Sequence, residues 1–296
     1  MDPNSWRKQA AARLTSSLRN TPQIGAVILG GSVARGWADS YSDLELGVFW
    51  TQPPKDEVRL RLLSETRPER IGGFRAFDPS PRAATGTEDN LLVHGFQVDL
   101  CHHLIDRVDD WITNVVSEAD TSLEKQTLVS TIQHAQPLHN ETWLTERQAQ
   151  VADYPDQLAK ETLRQNYPFF FQKHMEYFIA RDEVTLFYNY LTGLQKRIFT
   201  TIVALNRRYF AGFKRMARQV ESMERTPSEM IERFERCYGN SIADAWTSTE
   251  ALVSEVVELA TAVHPDVDSK RPREQAYRRK GWDTPPQGFG DLRDQT

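Results

Sequence analysis

Apolar positions change their period near the middle of the chain. In the first half they come in short runs or alternate; in the second they recur three or four residues apart. Residues 5–19 predict a helix capped by Asn4 or Ser5, with Trp6, Ala10, Leu14 and Leu18 at helical spacing and Thr21-Pro22 as the break. The run IGAVILG (24–30) predicts a buried strand. DLELGVFW (43–50) alternates and predicts a second strand, ended by residues Thr51 to Pro54. A charged helix is expected over 55–67, a loop rich in turn residues over 78–90, and a hairpin over 91–104 turning near His94-Gly95. Helical patterns continue through RVDDWITNVV and EKQTLVSTIQHA.

From about residue 155 the pattern is almost wholly helical. Val184, Phe187, Leu191, Leu194, Ile198, Ile202 and Leu205 make one apolar stripe. In TPSEMIERFERCYG, Thr226 stands as an N-cap, Pro227 at the first helical position and Glu229 three residues after the cap, which predicts a capping box, with Gly239 as the stop. A last helix over IADAWTSTEALVSEVVELATAV stops near His264-Pro265. The expected class is α+β. Residues 1–150 form a domain with a small mixed sheet and helices, 151–264 an all-helical bundle, and 265–296 a basic, extended tail containing Pro and Gly.

Composition narrows the function classes. The 296 residues carry a net charge of −5, which argues weakly against a broad nucleic-acid surface but not against a local basic cleft. Two cysteines, Cys101 and Cys237, allow no disulfide framework or metal knuckle. The stretch MDPNSWRKQAAARL lacks the apolar core of a signal peptide, and no apolar run approaches the ~20 residues that span a bilayer. A cytoplasmic protein with no membrane partner is the expectation.

The chemistry concentrates in LGGSVARGWADSYSDLELGVFW (29–50). On a strand Asp43 and Glu45 project from one face while Leu44 and Leu46 project from the other. In the hairpin, Phe96, Val98 and Leu100 point one way and Gln97 and Asp99 the other. If the hairpin's second strand lies beside 43–50, Asp99 joins the acid pair. Three carboxylates at one spot repel one another, and bound Mg²⁺ removes the penalty. Two such ions, about 4 Å apart, hold a triphosphate and an attacking oxygen together. Gly30 and Gly31 allow close backbone approach, and Ser32 adds a hydroxyl. Each feature alone also fits an ordinary turn or a solvated strand face; the conjunction favours a site.

GGSVARGWADSYSDLEL resembles the signature of the DNA polymerase β-like nucleotidyltransferases: Gly-Ser, a spacer, then Asp-x-Asp or Asp-x-Glu. Asp99 in FQVDL matches that family's later, third carboxylate. The resemblance rests on motifs across about 26–104 and on architecture alone across 155–264. Ser-Asp-Leu-Glu, with Glu as second acid, is similar to the kanamycin nucleotidyltransferase branch. The resemblance implies a polymerase β-like domain followed by a helical bundle. It implies Asp43 and Glu45 as metal ligands, Asp99 as ligand or general base, and Gly31 and Ser32 at the nucleotide phosphates. The implied co-substrate is ATP or another NTP with Mg²⁺. The implied activity is transfer of a nucleoside monophosphate to a hydroxyl of a small molecule, such as an aminoglycoside-like antibiotic, with release of pyrophosphate.

Further candidates lie downstream. ALNRRYFAGFKRMARQV (204–220) gathers Arg207, Arg208, Lys214, Arg215 and Arg218. In related two-domain nucleotidyltransferases a lysine from the helical domain reaches the phosphates, and Lys214, beside a bend at Gly212, is the best match; a solvated helix face is the equal alternative. Asp182, with Glu183 and Glu176, stands at a helix junction, where it serves either as a general base near an amine-bearing acceptor or as an N-cap. Trp37 either stacks on a base or packs its loop. Cys101, His102 and His103 alternate across a strand and cannot easily share one zinc ion. Two other readings stay open: the same chemistry on RNA or a protein side chain, as in toxin-type members, and a non-catalytic nucleotide-binding module.

Overall fold

The computed structural model describes residues 3–72, 74–78, 87–171, 174–270 and 272. The chain divides into two compact units, Met1–Glu161 with Arg207–Lys214, and Thr162–Asn206 with Arg215–Thr296. Residues 151–161 and the 207–214 segment therefore group with the sheet. Most of the predicted tail, including most of the basic run at 270–282, lies outside the described residues, as does most of the predicted 78–90 loop.

The first unit opens with α1 (Pro3–Leu14) and α2 (Ser16–Arg19), then β1 (Ile24–Leu29), a one-turn α3 (Gly31–Ala34), β2 (Leu44–Trp50) and α4 (Asp56–Glu65). The helix expected over 5–19 starts earlier and divides at Thr15. Neither Asn4 nor Ser5 stands before its first residue, and the Asn4 carboxamide oxygen accepts instead from the Ala38 amide, 3.2 Å away. Three strands follow, β3 (Arg70–Gly72), β4 (Thr87–Val93) and β5 (Phe96–Leu104). The β4–β5 hairpin turns at His94 and Gly95, both with positive φ. Then come α5 (Ile105–Val116), α6 (Leu123–His134), β6 (Gln136–His139) and α7 (Glu141–Gln150).

The six strands form one mixed sheet in the order β3-β4-β5-β2-β1-β6. Only the central β2–β5 pair is parallel. Alternation along β2 sends Leu44, Leu46, Val48 and Trp50 into a core shared with Ala11, Leu18, Leu62 and Leu63 from α1, α2 and α4. The opposite face is covered by α5, α6 and α7. Val108, Trp111, Ile112 and Val115 make an i, i+3, i+4, i+7 stripe that packs on Ile28 and Phe49.

One polar network penetrates the first of these cores. Arg59 and Asp89 are both 0% exposed. Their ion pair closes at 2.6 Å. His102 Nε2 meets Asp89 Oδ2 at 2.9 Å, and Trp50 Nε1 donates to His102 Nδ1 at 3.0 Å. Indole nitrogen only donates, so His102 carries its proton on Nε2 and hands it to Asp89. Burial would raise the Asp89 pKa, but the His102 hydrogen bond and the Arg59 charge outweigh it and hold the carboxyl below its usual range.

The segment Arg207–Lys214 has no regular secondary structure, and Gly212 within it has a φ of +93°. Its hold on the first unit is specific. Tyr209 Oη donates to Asp153 O at 3.0 Å, the Phe210 amide donates to Gln126 Oε1 at 3.3 Å, and Arg207 pairs with Asp156.

In the second unit, α9 (His174–Ala180), α10 (Val184–Leu205) and α13 (Ile242–Val263) pack together, α12 (Met230–Arg236) packs on α13, and the short α11 (Met216–Val220) lies between α10 and α12 in sequence; α8 (Asp156–Phe170) carries the division between units at Glu161/Thr162. The predicted stripe on α10 is buried from Phe187 to Leu205, while Val184 stays 42% exposed. The capping box expected at Thr226 does not form. Glu229 adopts a left-handed φ of 52° and α12 starts only at Met230. The Glu229 carboxylate reaches Arg236 at 2.7 Å instead.

Candidate active site

The parallel β2–β5 ladder sets Leu44 opposite Val98, Glu45 opposite Asp99 and Leu46 opposite Leu100. The leucines and the valine point into the core. Glu45 and Asp99 therefore stand side by side on the other face, on strands about 4.8 Å apart. Asp43 ends the loop that feeds β2, two residues before Glu45. This is the pairing under which Asp99 joins the acid pair.

The glycine turn closes on the same point. The Gly30 amide donates to Glu45 O at 2.9 Å, tying the end of β1 to β2. Gly31 has a φ of +60°, and a Cβ built there would lie 2.5 Å from both Cδ and Oε2 of Glu45. The Glu45 carboxylate thus rests where any other side chain would begin. Ser32 follows within α3, and just past that single turn the Trp37 amide donates to Ser32 O at 2.8 Å. Trp37 itself lies beneath the Arg35 guanidinium, 5.5 Å from its ring centre.

Burial and Asp43 raise the Glu45 pKa above the ordinary glutamate range; Lys214 opposes them, and Asp99 and Glu88 add to the rise. That pattern puts three further carboxylates and one lysine within reach of Glu45. It also brings Lys214 to the acids from the 207–214 segment, exposed and outside any helix, rather than on a helix face. Cys101, two residues beyond Asp99, has its pKa driven up by burial and by the same four acids, so it stays a thiol. Arg35 sits nearby, its pKa lowered by burial and supported by Glu45, with its guanidinium on Ser130 O at 3.0 Å.

Asp99 is 7% exposed and fixed by amides. Gln97 Nε2 donates to both its oxygens at 3.0 Å, and Asn90 Nδ2 donates to Oδ1 at 2.8 Å. Asn90 Nδ2 also meets Glu88 Oε1 at 2.6 Å, so one carboxamide bridges two acids. Glu88 and Asn90 escaped sequence reasoning because TEDN reads as the end of a turn-rich loop. β4 in fact begins at Thr87, and Glu88 and Asn90 share the face of Asp99 by register. The only signal was the alternation of Glu88, Asn90 and the hairpin's Gln97 and Asp99, hidden by the preceding prolines and glycine.

Among the described residues no group of three His, Cys, Asp or Glu side chains is placed to hold a metal ion. The donors still suit Mg²⁺. All are hard carboxylate oxygens, the Asp43 and Glu45 carboxylates have no hydrogen-bond partner among the described residues, and Mg²⁺ binds through one or two carboxylates together with substrate phosphates rather than in an all-protein cage. His102 is turned into the buried Asp89 network, away from any shared site with Cys101.

Asp182 belongs to the second unit, exposed in the turn between α9 and α10 with a φ of 54°. The residue that precedes α10 as its N-cap is Glu183, and no side chain caps that helix.

No protein-family model matches the chain, and no curated protein does. Solved structures that match the chain include the following two. A nucleotidyltransferase-like protein from Exiguobacterium sibiricum 255-15 is 10% identical, with 93% of this chain and 81% of that chain covered, at a TM-score of 0.44. The Cid1 poly(U) polymerase is 21% identical, with 45% of this chain and 41% of that chain covered, at a TM-score of 0.25. Both likenesses are too distant to carry an argument about the site, which stands on its own geometry.

Proposed function

We propose that the chain is a metal-dependent nucleotidyltransferase. It transfers a nucleoside monophosphate, most simply AMP from ATP, to a hydroxyl of a small molecule, with an aminoglycoside-like amine as one acceptor of the expected class. The observation that carries the reading is the direct pairing of Glu45 with Asp99 on adjacent parallel strands, with Asp43 two residues ahead and the Lys214 charge within reach of Glu45.

Asp43, Glu45 and Asp99 would hold Mg²⁺, which when bound supplies charge neutralisation for the triphosphate and the attacking oxygen. Lys214 adds a positive charge for the phosphates, and the backbone at Gly31 with the Ser32 hydroxyl approaches them closely. The acceptor O–H attacks the α-phosphorus, its bond to the oxygen shared with the β-phosphorus breaks, and pyrophosphate leaves. Asp99, its rotamer fixed by Gln97 and Asn90, is the carboxylate placed to take the acceptor's proton or to ligate the metal.

Pyrophosphate release is the test, run with Mg²⁺, each of the four nucleotides, and panels of small amines and RNAs. Asp43→Asn should cost at least about tenfold in turnover, since a lost metal ligand removes several kcal/mol of transition-state stabilisation. A smaller loss sinks the proposal. Turnover on RNA alone would move the acceptor class; tight MgATP binding without turnover on any acceptor would leave a binding module.

A further inference from the structure

A cavity of about 350 Å³ lies between the sheet and helices α5 and α6. Its apolar wall is Ile28, Phe49, Trp111 and Leu128. Its polar wall includes Glu45 and Glu88 from the sheet and Glu124, Thr127 and Thr131 from α6.

The polar wall accepts hydrogen bonds and offers few. Carboxylates only accept when ionised. The two threonines have spent their protons: Thr127 Oγ1 donates to Leu123 O at 2.7 Å and Thr131 Oγ1 to Thr127 O at 2.9 Å. Their remaining lone pairs accept. Glu124 Oε1 is buried with no hydrogen-bond partner among the described residues. Its neighbour Lys125 is turned away, with Nζ on Asp120 at 2.5 Å and Asn114 at 2.6 Å. No lysine or arginine is among the described residues that line the cavity. His103 also lines it and is neutral, since burial lowers its pKa to about 4.

A buried acceptor without a donor is costly, and a ligand that brings donors removes the cost. The wall chemistry calls for a cation, and the aromatic wall for an apolar body behind it. The volume is near the low end of the roughly 300–1,000 Å³ of ligand sites, which suits a single ring rather than an oligosaccharide.

We infer that this cavity binds a small organic cation, an amine on a compact apolar or aromatic body, with its ammonium held by Glu124 and Glu88. Glu45 is shared between the cavity and the acid cluster, so a ligand seated here reaches the reacting groups. On the nucleotidyl reading, on which this role rests, the amine anchors the acceptor. It also narrows that reading from a whole aminoglycoside to one amine-bearing ring.

The test is calorimetric titration of the full chain with tyramine and with cyclohexylamine, against 4-ethylphenol as the neutral match and 3-(4-hydroxyphenyl)propionate as the anionic one. Tyramine should bind at least about tenfold more tightly than 4-ethylphenol, as expected for a charge-assisted hydrogen bond, and the propionate should give no binding. Glu124→Gln should weaken tyramine about tenfold and leave 4-ethylphenol nearly unchanged. Thr127→Phe, which fills the cavity from α6, should abolish both. Thermal unfolding checks that each variant folds, and wild-type nuclear Overhauser contacts between the tyramine ring and the Trp111 indole test the location without any variant. Failure of both amines to bind, equal affinity for tyramine and 4-ethylphenol, absence of the Trp111 contacts, or indifference to Glu124→Gln overturns the inference. MgATP affinity on the same samples separates the two proposals. Amine binding without MgATP binding sinks the nucleotidyl reading and keeps the cation site; MgATP binding without amine binding does the reverse.

Discussion

Gly31→Ala tests the contact at the centre of the site. Alanine at a φ of +60° costs about 1–2 kcal/mol from backbone conformation alone. Its Cβ would also fall 2.5 Å from the Glu45 carboxylate, so that side chain must turn away. Leaving its rotamer adds about 0.5–1.5 kcal/mol. The total is about 1.5–3.5 kcal/mol, or a fall in melting temperature of roughly 3–14 °C for a unit of this size. Gly36→Ala is the matched control. Its φ is +71°, but a Cβ there meets nothing within 4 Å. It should lose only the backbone term, about 1–2 kcal/mol, and leave function alone. Urea unfolding reads the stabilities, and Mg²⁺-dependent pyrophosphate release reads the displacement of Glu45, expected to cost Gly31→Ala at least about tenfold. The reasoning fails if the two variants lose the same stability, or if Gly31→Ala keeps wild-type turnover and Mg²⁺ dependence.

Other outcomes follow from the same charges. Burial and Asp43 raise the Glu45 pKa, so the folded state holds that proton more tightly than the unfolded chain does. The stability this group contributes is fully present below the ordinary glutamate range and is lost as pH rises through the raised value. Glu45→Gln should therefore be more stable than wild type at pH 7 by urea unfolding, with the gap closing near pH 4, and inactive throughout. Lys214→Ala removes the charge that opposes this rise. The acidic limb of the activity profile should move to higher pH, and the KM for MgATP should rise about three- to tenfold. Arg59→Met leaves Asp89 buried beside His102 without its main countercharge and should cost about 3–5 kcal/mol by urea unfolding. A loss under 1 kcal/mol would show that the ion pair does not hold the core.

Much of the acid site was legible because strand alternation is a strict period. Leu44, Leu46, Val98 and Leu100 had to face a core, so Glu45 and Asp99 had to face away, and pairing of the two strands did the rest. Glu88 was not legible, because its strand begins inside a turn-rich stretch and only the hairpin register shows its face. Nor were the helix starts. The Thr226 capping motif lost to a left-handed Glu229 that pairs with Arg236, and Asn4 spends its side chain on the Ala38 amide. Local signals of this kind are worth about 1 kcal/mol and yield to tertiary contacts. The resemblance and the bend at Gly212 single out Lys214, but the anchoring of Tyr209, Phe210 and Arg207, which holds its segment on the first unit, is encoded in no local pattern.

The buried Arg59–Asp89–His102–Trp50 chain fixes more than a core. Asp89 stands between Glu88 and Asn90 on β4 and points to the opposite face. A slip of β4 by one residue would carry Asp89 onto the acid face and leave Glu88 or Asn90 against the Arg59 guanidinium. It would also part His102 from the proton acceptor its tautomer requires. The network thus works as a register key: it admits one alignment of β4 on β5, and that alignment is the one in which Asn90 clasps Asp99 and Glu88 together. Sequence changes deep in this core would then be felt first as a loss of aim among the acids, before any loss of fold.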